Sequence, residues 1–446
     1  MGSPAGSAFL KLTPSRILIL GFAGLILAGT LLLRLPISVR GGSISTIDAV
    51  FTATSAVAVT GLVVVDTGPY FTTFGQIVIL LLIQFGGLGI MTMATLVAMI
   101  LGKRITLRAR LVLQEALGQI TLQGVVRTIR LLVVFSVVME VLGALLFAIR
   151  FVPLFGWRQG LFVSVFHSVS SFNNAGFDLF GNNFASLASF RGDLLVNLVT
   201  AGLFVVGGLG FVVIIDLYHH RTYRNLGVQT RFVLALTLLL ILLGMFAFLA
   251  LESGNVLRPL PWFEKLMVSF FTSVTSRTAG FATIDIGTLH PATQFVISFL
   301  MFIGASPGGT GGGVKTTTFA LLILAVLATV KGREDVVLFE KRFPWYTILK
   351  SLAIVMIGLL VVTASTTLLT IFEGGEFLAN LFEAVSAFGT VGLSTGITPE
   401  LTAGGRLIII FTMYIGRLGP LTLALALGQR YQYAPIRFPE ERIMVG

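Results

Sequence analysis

The segment Phe51-TATSAVAVT-Gly61 recurs three more times in the chain, as Phe166-HSVSSFNNA-Gly176, Phe270-FTSVTSRTA-Gly280 and Phe382-EAVSAFGTV-Gly392. Each copy places a Gly ten residues after a Phe, at the end of a short and mostly apolar stretch. Apolar runs of about the length that crosses a bilayer precede and follow every copy. The repeating unit is therefore predicted to be a span, a half-span that reverses, and a second span.

The half-spans over residues 47–60, 160–171, 263–275 and 377–388 hold only about 12 to 14 residues each, which is typical of re-entrant segments. Non-helical backbone at membrane depth is tolerated only where protein or a water-filled cavity covers it. Four such returns are therefore expected to gather around one axis. The sequence predicts an all-α polytopic membrane protein with eight spans and four re-entrant pore helices around a pseudo-fourfold pore. The predicted repeats are residues 1–126, 127–230, 231–343 and 344–446, and the third has a broken second span.

The composition excludes an ordinary soluble protein. Of the 446 residues, 55% are hydrophobic and only 11% are charged, whereas a soluble domain carries about 25% charged residues. The chain contains no cysteine and four scattered histidines, so neither disulfides nor a zinc site is expected.

Basic residues predict the topology. The chain has 30 Lys and Arg against 19 Asp and Glu. In a membrane protein, this excess indicates which side of the membrane each loop faces and is not evidence of affinity for nucleic acid. The positive-inside rule assigns five basic clusters and both termini to the cytoplasm, in a plasma membrane. A signal peptide is the competing interpretation of residues 17–35, but that run has spanning length and no small-residue cleavage site follows it. The clustered residues are Lys11, Arg16, Lys103, Arg104, Arg108, Arg110, Arg127, Arg130, Arg221, Arg224, Arg231, Lys331, Arg333, Lys341, Arg342, Lys350, Arg430, Arg437 and Arg442.

Glycine clusters in the second spans support two different predictions. Gly86-Gly-Leu-Gly89, Gly207-Gly-Leu-Gly210 and Gly416-Arg-Leu-Gly419 are typical of closely packed membrane helices. Gly304-Ala-Ser-Pro-Gly-Gly-Thr-Gly-Gly-Gly313 cannot continue a helix, because it contains a Pro and six Gly. The span over residues 293–330 is therefore predicted to be broken in mid-membrane.

The four repeated glycines are candidate ion-binding positions. A selectivity filter replaces the water around an ion by rings of backbone carbonyls, and Gly permits unusual dihedrals without blocking a narrow passage. Pore helices that point their carboxyl ends at the pore favour a cation, and Asp66, Asp178 and Asp285 would concentrate cations further. The predicted filter residues are Thr60, Gly61, Ala175, Gly176, Ala279, Gly280, Val391 and Gly392.

The series VTGLVVVDTG, FNNAGFDLF, TSRTAGFATIDI and FGTVGLSTGITPEL resembles the Trk/Ktr/HKT superfamily of potassium transporters over nearly the whole chain, and most closely its Ktr membrane subunit. The resemblance implies potassium translocation, one filter Gly per repeat, a homodimer with one pore per protomer, and a cytosolic ring of nucleotide-binding regulatory subunits. Gly61 favours potassium, because plant relatives with Ser at this position transport sodium. Two alternatives stay open: coupling to sodium, and a sodium-permeable or weakly selective cation transporter of the same architecture. The basic cytoplasmic face would also suit anionic membrane lipid.

The resemblance also implies a gate. The broken span resembles an intramembrane loop that blocks the path beneath the filter, and Arg417 resembles a basic residue that faces this loop. An Arg in mid-span costs about 2.5–3.5 kcal/mol on insertion scales, which independently places Arg417 toward the protein interior. Two interpretations of Lys315 stay open: a side chain that faces the gate, and a side chain that snorkels toward the cytoplasm. The predicted gate residues are Gly304, Ala305, Ser306, Pro307, Gly308, Gly309, Thr310, Gly311, Gly312, Gly313 and Arg417.

Other function classes fit less well. Residues 309–316 mimic a phosphate-binding loop, but Val314 occupies a required Gly and the flanking segments are spans, so this chain is expected to bind no nucleotide itself. The HExxH motif of an intramembrane metalloprotease is absent from the sequence, and His167 has no evident nucleophile beside it, so no enzyme is expected. A secondary transporter with inverted repeats needs halves of opposite topology, whereas the basic clusters place all repeats in parallel.

Two further charged residues, Arg277 and Glu140, lie in or beside apolar segments. Arg277 lies three residues before Gly280, and Glu383 is its predicted partner. Glu140 lies in mid-span and is predicted to form hydrogen bonds between helices, with a coupling-ion ligand as the alternative.

Overall fold

The computed structural model describes residues 14–89, 92, 125–181, 187–220 and 222–419. These residues form fifteen α-helices and one short antiparallel hairpin, β1 (Val337–Leu338) and β2 (Lys341–Arg342). In chain order the helices are α1 (Pro14–Leu33), α2 (Thr46–Ala58), α3 (Thr67–Tyr70), α4 (Thr73–Leu88), α5 (Val125–Phe155), α6 (Trp157–Phe172), α7 (Leu194–Leu209), α8 (Phe211–His219), α9 (Val228–Glu252), α10 (Trp262–Thr275), α11 (Pro291–Phe302), α12 (Thr316–Val330), α13 (Trp345–Glu373), α14 (Phe377–Gly389) and α15 (Ala403–Leu418).

Four of these helices are long and apolar enough to cross a membrane, and they are the first spans of the predicted repeats: α1, α5, α9 and α13. Their apolar side chains point outward as well as inward. Leu27, Ile149, Leu238 and Leu360 are all exposed. Helices with apolar side chains on every face belong in lipid or in a protein core, so these four helices have the character of membrane spans.

One of the second spans is bent at a position where no break was predicted. Helices α4, α7 and α15 end at Gly89, Gly210 and Gly419, which have φ of +85°, +91° and +84°. Glycine adopts this conformation without the steric cost of a Cβ, which is why it commonly ends a helix. At Gly210 the chain turns by 94° into α8. The described residues therefore contain four full spans, or five if α7 and α8 count as one. Apart from residue 92, the continuations of the predicted second spans past Gly89 and Gly419 lie outside the described residues.

Capping side chains fix where the second spans begin. The side chains of Thr72, Asp193 and Thr402 accept hydrogen bonds from the amides of Gly75, Val196 and Gly405, respectively, at 3.1–3.3 Å. A side-chain oxygen at this position satisfies one of the helix amides that has no partner within the helix. The end of the preceding span also reaches two of these caps. Glu373 accepts the Thr402 amide at 3.0 Å, and Arg150 forms an ion pair with Asp193 at 2.5 Å.

The four short helices after the first spans, α2, α6, α10 and α14, lie in the interior. Along α2, every residue from Phe51 to Ala58 is buried. The same holds for the last turns of α6 and α14. These helices carry many small and hydroxyl side chains, so their burial is explained by close packing against neighbouring helices rather than by large apolar faces.

Candidate functional site

The glycines at the ends of the four short helices lie side by side. Gly61, Gly176, Gly280 and Gly392 all have positive φ, of +89°, +69°, +79° and +94°. A Cβ added to any of them would meet the carbonyl oxygen of the residue that precedes the next glycine. The pairs are Gly61 with Ala175, Gly176 with Ala279, Gly280 with Val391, and Gly392 with Thr60. The contacts return to their starting point, so the eight predicted filter residues surround a common axis. We call this arrangement the glycine ring.

A second layer of positive φ lies two residues before each glycine, at Val59, Asn174, Thr278 and Thr390, with φ between 50° and 76°. Non-glycine residues in this region cost about 1–3 kcal/mol and cluster at functional sites. Alternation of positive and negative φ turns successive carbonyls toward the same side, which a carbonyl-lined passage requires. Sequence reasoning missed this layer. Of its four members, only the Asn belongs to a residue type that favours positive φ.

Hydroxyl side chains of the short helices hold the ring segments. Ser55 and Ser386 accept hydrogen bonds from the amides of Gly61 and Gly392, each at 3.1 Å. In the other two repeats the hydroxyls of Ser170 and Thr275 donate to the carbonyls of Phe177 and Phe281, each at 2.7 Å. These hydrogen bonds fix the backbone of each ring segment against the short helix that precedes it.

One side of the glycine ring opens into a small cavity of about 30 Å³, which we call the mouth cavity. Asp66 and Asp178 contribute to its lining, as do Ser394 and Thr398. Burial raises the pKa of Asp178 to about 6, and the negative charge of Asp66 adds to this effect. The third expected acid, Asp285, instead caps a short turn by accepting the Gly287 amide at 2.9 Å.

Against the other side of the ring lies the glycine loop, residues 304–313, which joins α11 to α12. The amide of Gly312 donates to the Thr390 hydroxyl at 2.9 Å. Gly311 lies so close to Thr278 that a Cβ would collide with its hydroxyl. The loop therefore packs directly against the layer of strained residues. Its amides at Ser306 and Thr310 donate to the carbonyls of the 207–208 pair at 3.0 and 3.1 Å, which ties the loop to the end of α7.

Two cations bind carbonyls of this loop. Arg417 donates to the carbonyl of Thr310 and also to those of Gly86 and Gly87 at the end of α4. Lys315 donates to the carbonyl of Gly311 at 2.6 Å. Both side chains line a cavity of about 200 Å³ on the side of the loop away from the ring. Lys315 thus bonds within the loop instead of snorkelling.

The other glycine clusters approach the short helices closely. A Cβ on Gly86, Gly207 or Gly416 would collide with the carbonyl oxygen of Val57, Phe172 or Phe388, respectively. Each of these carbonyls belongs to the last turn of a short helix. The close-packing interpretation therefore accounts for these three glycines, whereas the last glycine of each cluster ends its helix.

The predicted pairing of Arg277 with Glu383 is wrong. The carboxyl group of Glu383 is hydrogen-bonded to the hydroxyls of Ser394 and Thr398, and the ion pairs of the described residues do not include it. The Nε of Arg277 has no hydrogen-bond partner among the described residues. Pairing by opposite charge overlooked the hydroxyl groups that follow Gly392 and lie nearer to the carboxyl group.

Glu140 forms the predicted hydrogen bonds between helices. Its carboxylate accepts from the side-chain amides of Gln84 and Asn173 at 3.2 and 3.1 Å. Gln84 lies on α4 and Asn173 at the end of α6, so the three side chains connect the first two repeats.

This combination of membrane spans, a ring of backbone carbonyls and acids at its mouth defines a cation transport protein. A family model described as TrkH, cation transport protein, matches residues 15–430, and the chain belongs to this family. The Ktr system potassium uptake protein B of Bacillus subtilis is 44% identical over 440 residues, which cover 98% of each chain. The potassium/sodium uptake protein NtpJ of Enterococcus hirae is 39% identical over 446 residues, again 98% of each chain.

A solved structure supports the same fold. The crystal structure of the potassium transporter TrkH from Vibrio parahaemolyticus matches with a TM-score of 0.73, over 93% of this chain and 84% of that chain, at 21% identity. The resemblance to the Trk/Ktr/HKT superfamily is confirmed by the family model and by the 44% identical Ktr protein. So is the expectation of a transport protein rather than an enzyme, because the family and these relatives are named as transporters.

Proposed function

We propose that this chain takes up potassium ions through the glycine ring. The observation that carries the proposal is the closure of the ring: four glycines with positive φ, one from each repeat, each within contact distance of the next ring carbonyl. Backbone carbonyls can replace the hydration shell of a monovalent cation. Asp66 and Asp178 at the mouth cavity raise the local cation concentration.

The glycine loop is the proposed gate. It lies across the ring on the side opposite the mouth cavity, and Arg417 and Lys315 hold its carbonyls. A cation here opposes potassium entry, and the planar guanidinium can hold several carbonyls at once. Opening would require Arg417 to release the Thr310 carbonyl or the carbonyls of α4.

The surrounding assembly is proposed from the family likeness. The chain forms a homodimer with one pore per protomer, in the plasma membrane, with both termini in the cytoplasm. The four repeats at residues 1–126, 127–230, 231–343 and 344–446 each supply one quadrant of the pore, as eight spans and four pore helices. A cytosolic nucleotide-binding ring and anionic lipids contact the basic face. The chain itself binds neither nucleotide nor nucleic acid.

A potassium transporter that depends on sodium, or that also admits it, is the second candidate. The specific observation in its favour is the 39% identity to a relative named as a potassium/sodium uptake protein. The glycine at position 61 favours potassium over sodium, so the two candidates differ in selectivity and coupling and not in architecture.

Uptake of labelled potassium into liposomes that contain the purified chain tests the proposal. We expect uptake that unlabelled potassium competes for more strongly than sodium does. Repeating the assay without sodium detects dependence on sodium, because only a coupled transporter then loses activity, and strong competition by sodium detects a transporter that also admits it. Equal competition by all monovalent cations would refute a potassium-selective filter.

A further inference from the structure

Glu383 on α14 is completely buried behind the glycine ring. Its Oε2 lies 2.9 Å from the hydroxyl of Ser394, and its Oε1 contacts the hydroxyl of Thr398. These two hydroxyls lie 2.9 Å from each other, so the three groups form a closed triangle of oxygen contacts. The hydroxyl of Ser394 also accepts the amide of Gly396 at 3.0 Å. Ser394 and Thr398 line the mouth cavity, whereas Glu383 lies behind them.

Counting protons in this triangle shows what the contacts require. Each hydroxyl has one proton to donate, and an ionised carboxylate has none. Three contacts between oxygens need three protons, and the two hydroxyls supply only two. If Glu383 carries the third proton, it donates to Thr398, Thr398 donates to Ser394, and Ser394 donates back to Glu383. If Glu383 is ionised, two hydroxyl oxygens are left 2.9 Å apart without a proton between them.

Among the residues that the structure describes, the helices packed against α14 supply no cation that pairs with Glu383. Helices α11, α13 and α15 pack against α14, and α11 carries no charged side chain. On α13, Lys350 is exposed and Glu373 accepts a hydrogen bond from Thr402. On α15, Arg406 binds Asp48 and the Pro399 carbonyl, and Arg417 binds the glycine loop. The remaining titratable groups there are Tyr346, which is exposed, and Tyr414, which donates to the carbonyl of Ile19. Across the mouth cavity lie two further acids, Asp66 and Asp178, and Glu400 of the adjoining turn is exposed.

We propose that Glu383 is a protonated carboxylic acid, and that its proton closes the triangle that fixes residues 394–398 against α14. Glu383 is then a positioning residue for the fourth quadrant of the glycine ring, a role that rests on the potassium uptake proposed above. An unpaired carboxylate would be costly in this buried place, whereas a neutral acid satisfies every polar group of the triangle.

Glu252 is a matched control within the same chain. It is also completely buried, but its partners are the amide of His290, the side-chain amide of Asn255 and the hydroxyl of Thr293. Each of these groups brings its own proton, so Glu252 needs none. The two glutamates thus share burial and differ in proton count.

Infrared difference spectroscopy of the full-length protein at neutral pH tests the protonation directly. A protonated carboxylic acid has a carbonyl stretch that ionised carboxylates lack. We expect Glu383→Gln to remove one such band, and Glu252→Gln to remove none. If the Glu383→Gln spectrum keeps every protonated-acid band of the wild-type spectrum, the proposal is overturned. Ser394→Ala keeps the acid but removes its hydroxyl donor, so it should shift the same band, and an unshifted band would also count against the triangle.

Transport measurements test the positioning role separately. Gln can donate to Thr398 and accept from Ser394, so Glu383→Gln should keep the potassium preference within about twofold of wild type, equivalent to less than about 0.5 kcal/mol. The Ala side chain of Glu383→Ala can form neither hydrogen bond, so this variant should lower the potassium preference about tenfold or more. Equal behaviour of the Gln and Ala variants would refute the role even if the band is present. Failure of the wild-type protein to transport potassium would instead refute the proposed function and leave the infrared result standing.

Discussion

Replacing Gly61 by Ser should weaken the discrimination of potassium over sodium by a predictable amount. The new Cβ would lie 2.6 Å from the carbonyl oxygen of Ala175 and 2.9 Å from the Cα of Gly176, both of which are backbone atoms. The φ of +89° adds strain for any residue that has a Cβ. Together these effects amount to about 1–3 kcal/mol. Because 1.4 kcal/mol is a factor of ten, we expect the potassium preference to fall by about one to two orders of magnitude.

The four ring positions should also differ in a definite order. A Cβ on Gly176 would find its nearest atoms at 3.1 Å, a milder clash than at the other three positions. Reversal potentials or competitive uptake measured for single Ser variants should therefore rank Gly176→Ser as the least impaired. Gly24→Ser is the control, because a Cβ at Gly24 on α1 meets no atom within 4 Å. Unchanged selectivity in all four ring variants, or a Gly176 variant that is the most impaired, would refute the filter assignment.

Three further outcomes are expected. Potassium uptake should fall as pH decreases through about 6, because Asp178 then loses its negative charge. Uptake by the Asp178→Asn variant should be low at all pH values and should lack this step. A step that persists in the variant would contradict the assignment. Arg417→Ala, or deletion of Gly311–Gly313, should raise basal flux about ten- to hundredfold, because hydrogen bonds to a charged group are worth about 1.5–3 kcal/mol; wild-type flux in both variants would place the gate elsewhere. Ser55→Ala leaves the amide of Gly61 without its acceptor, so thermal unfolding should show a loss of about 1–3 kcal/mol, and an unchanged melting temperature would argue against that bond.

The glycine ring could be predicted from sequence because its signal is independent of packing. A Gly at a fixed distance from a Phe, repeated four times, indicates a shared backbone conformation whatever the neighbouring side chains are. The interior position of Arg417 was also predictable, since a charge in mid-span has few alternatives to protein or water. Its binding to the Gly86 and Gly87 carbonyls could not be predicted, because it depends on how the first and fourth repeats meet.

The failures have equally physical causes. The apolar run continues past Gly210, so hydropathy alone gave no sign of the 94° turn. The assignment of Arg277 to Glu383 counted formal charges, whereas the structure satisfies the acid with two neutral hydroxyls. The left-handed conformation of Val59 and Thr390 contradicts their intrinsic preference, and only the surrounding fold imposes it.

The ring of Gly61, Gly176, Gly280 and Gly392 belongs to a single chain, so its four positions can mutate independently of one another. In a pore of four identical subunits, one codon change alters every quadrant at once, and a strain of about 1–3 kcal/mol per site is incurred four times. Here the same change is incurred once and the other three quadrants keep their geometry. In the proposed filter, a single mutation therefore alters one quadrant and leaves the other three unchanged.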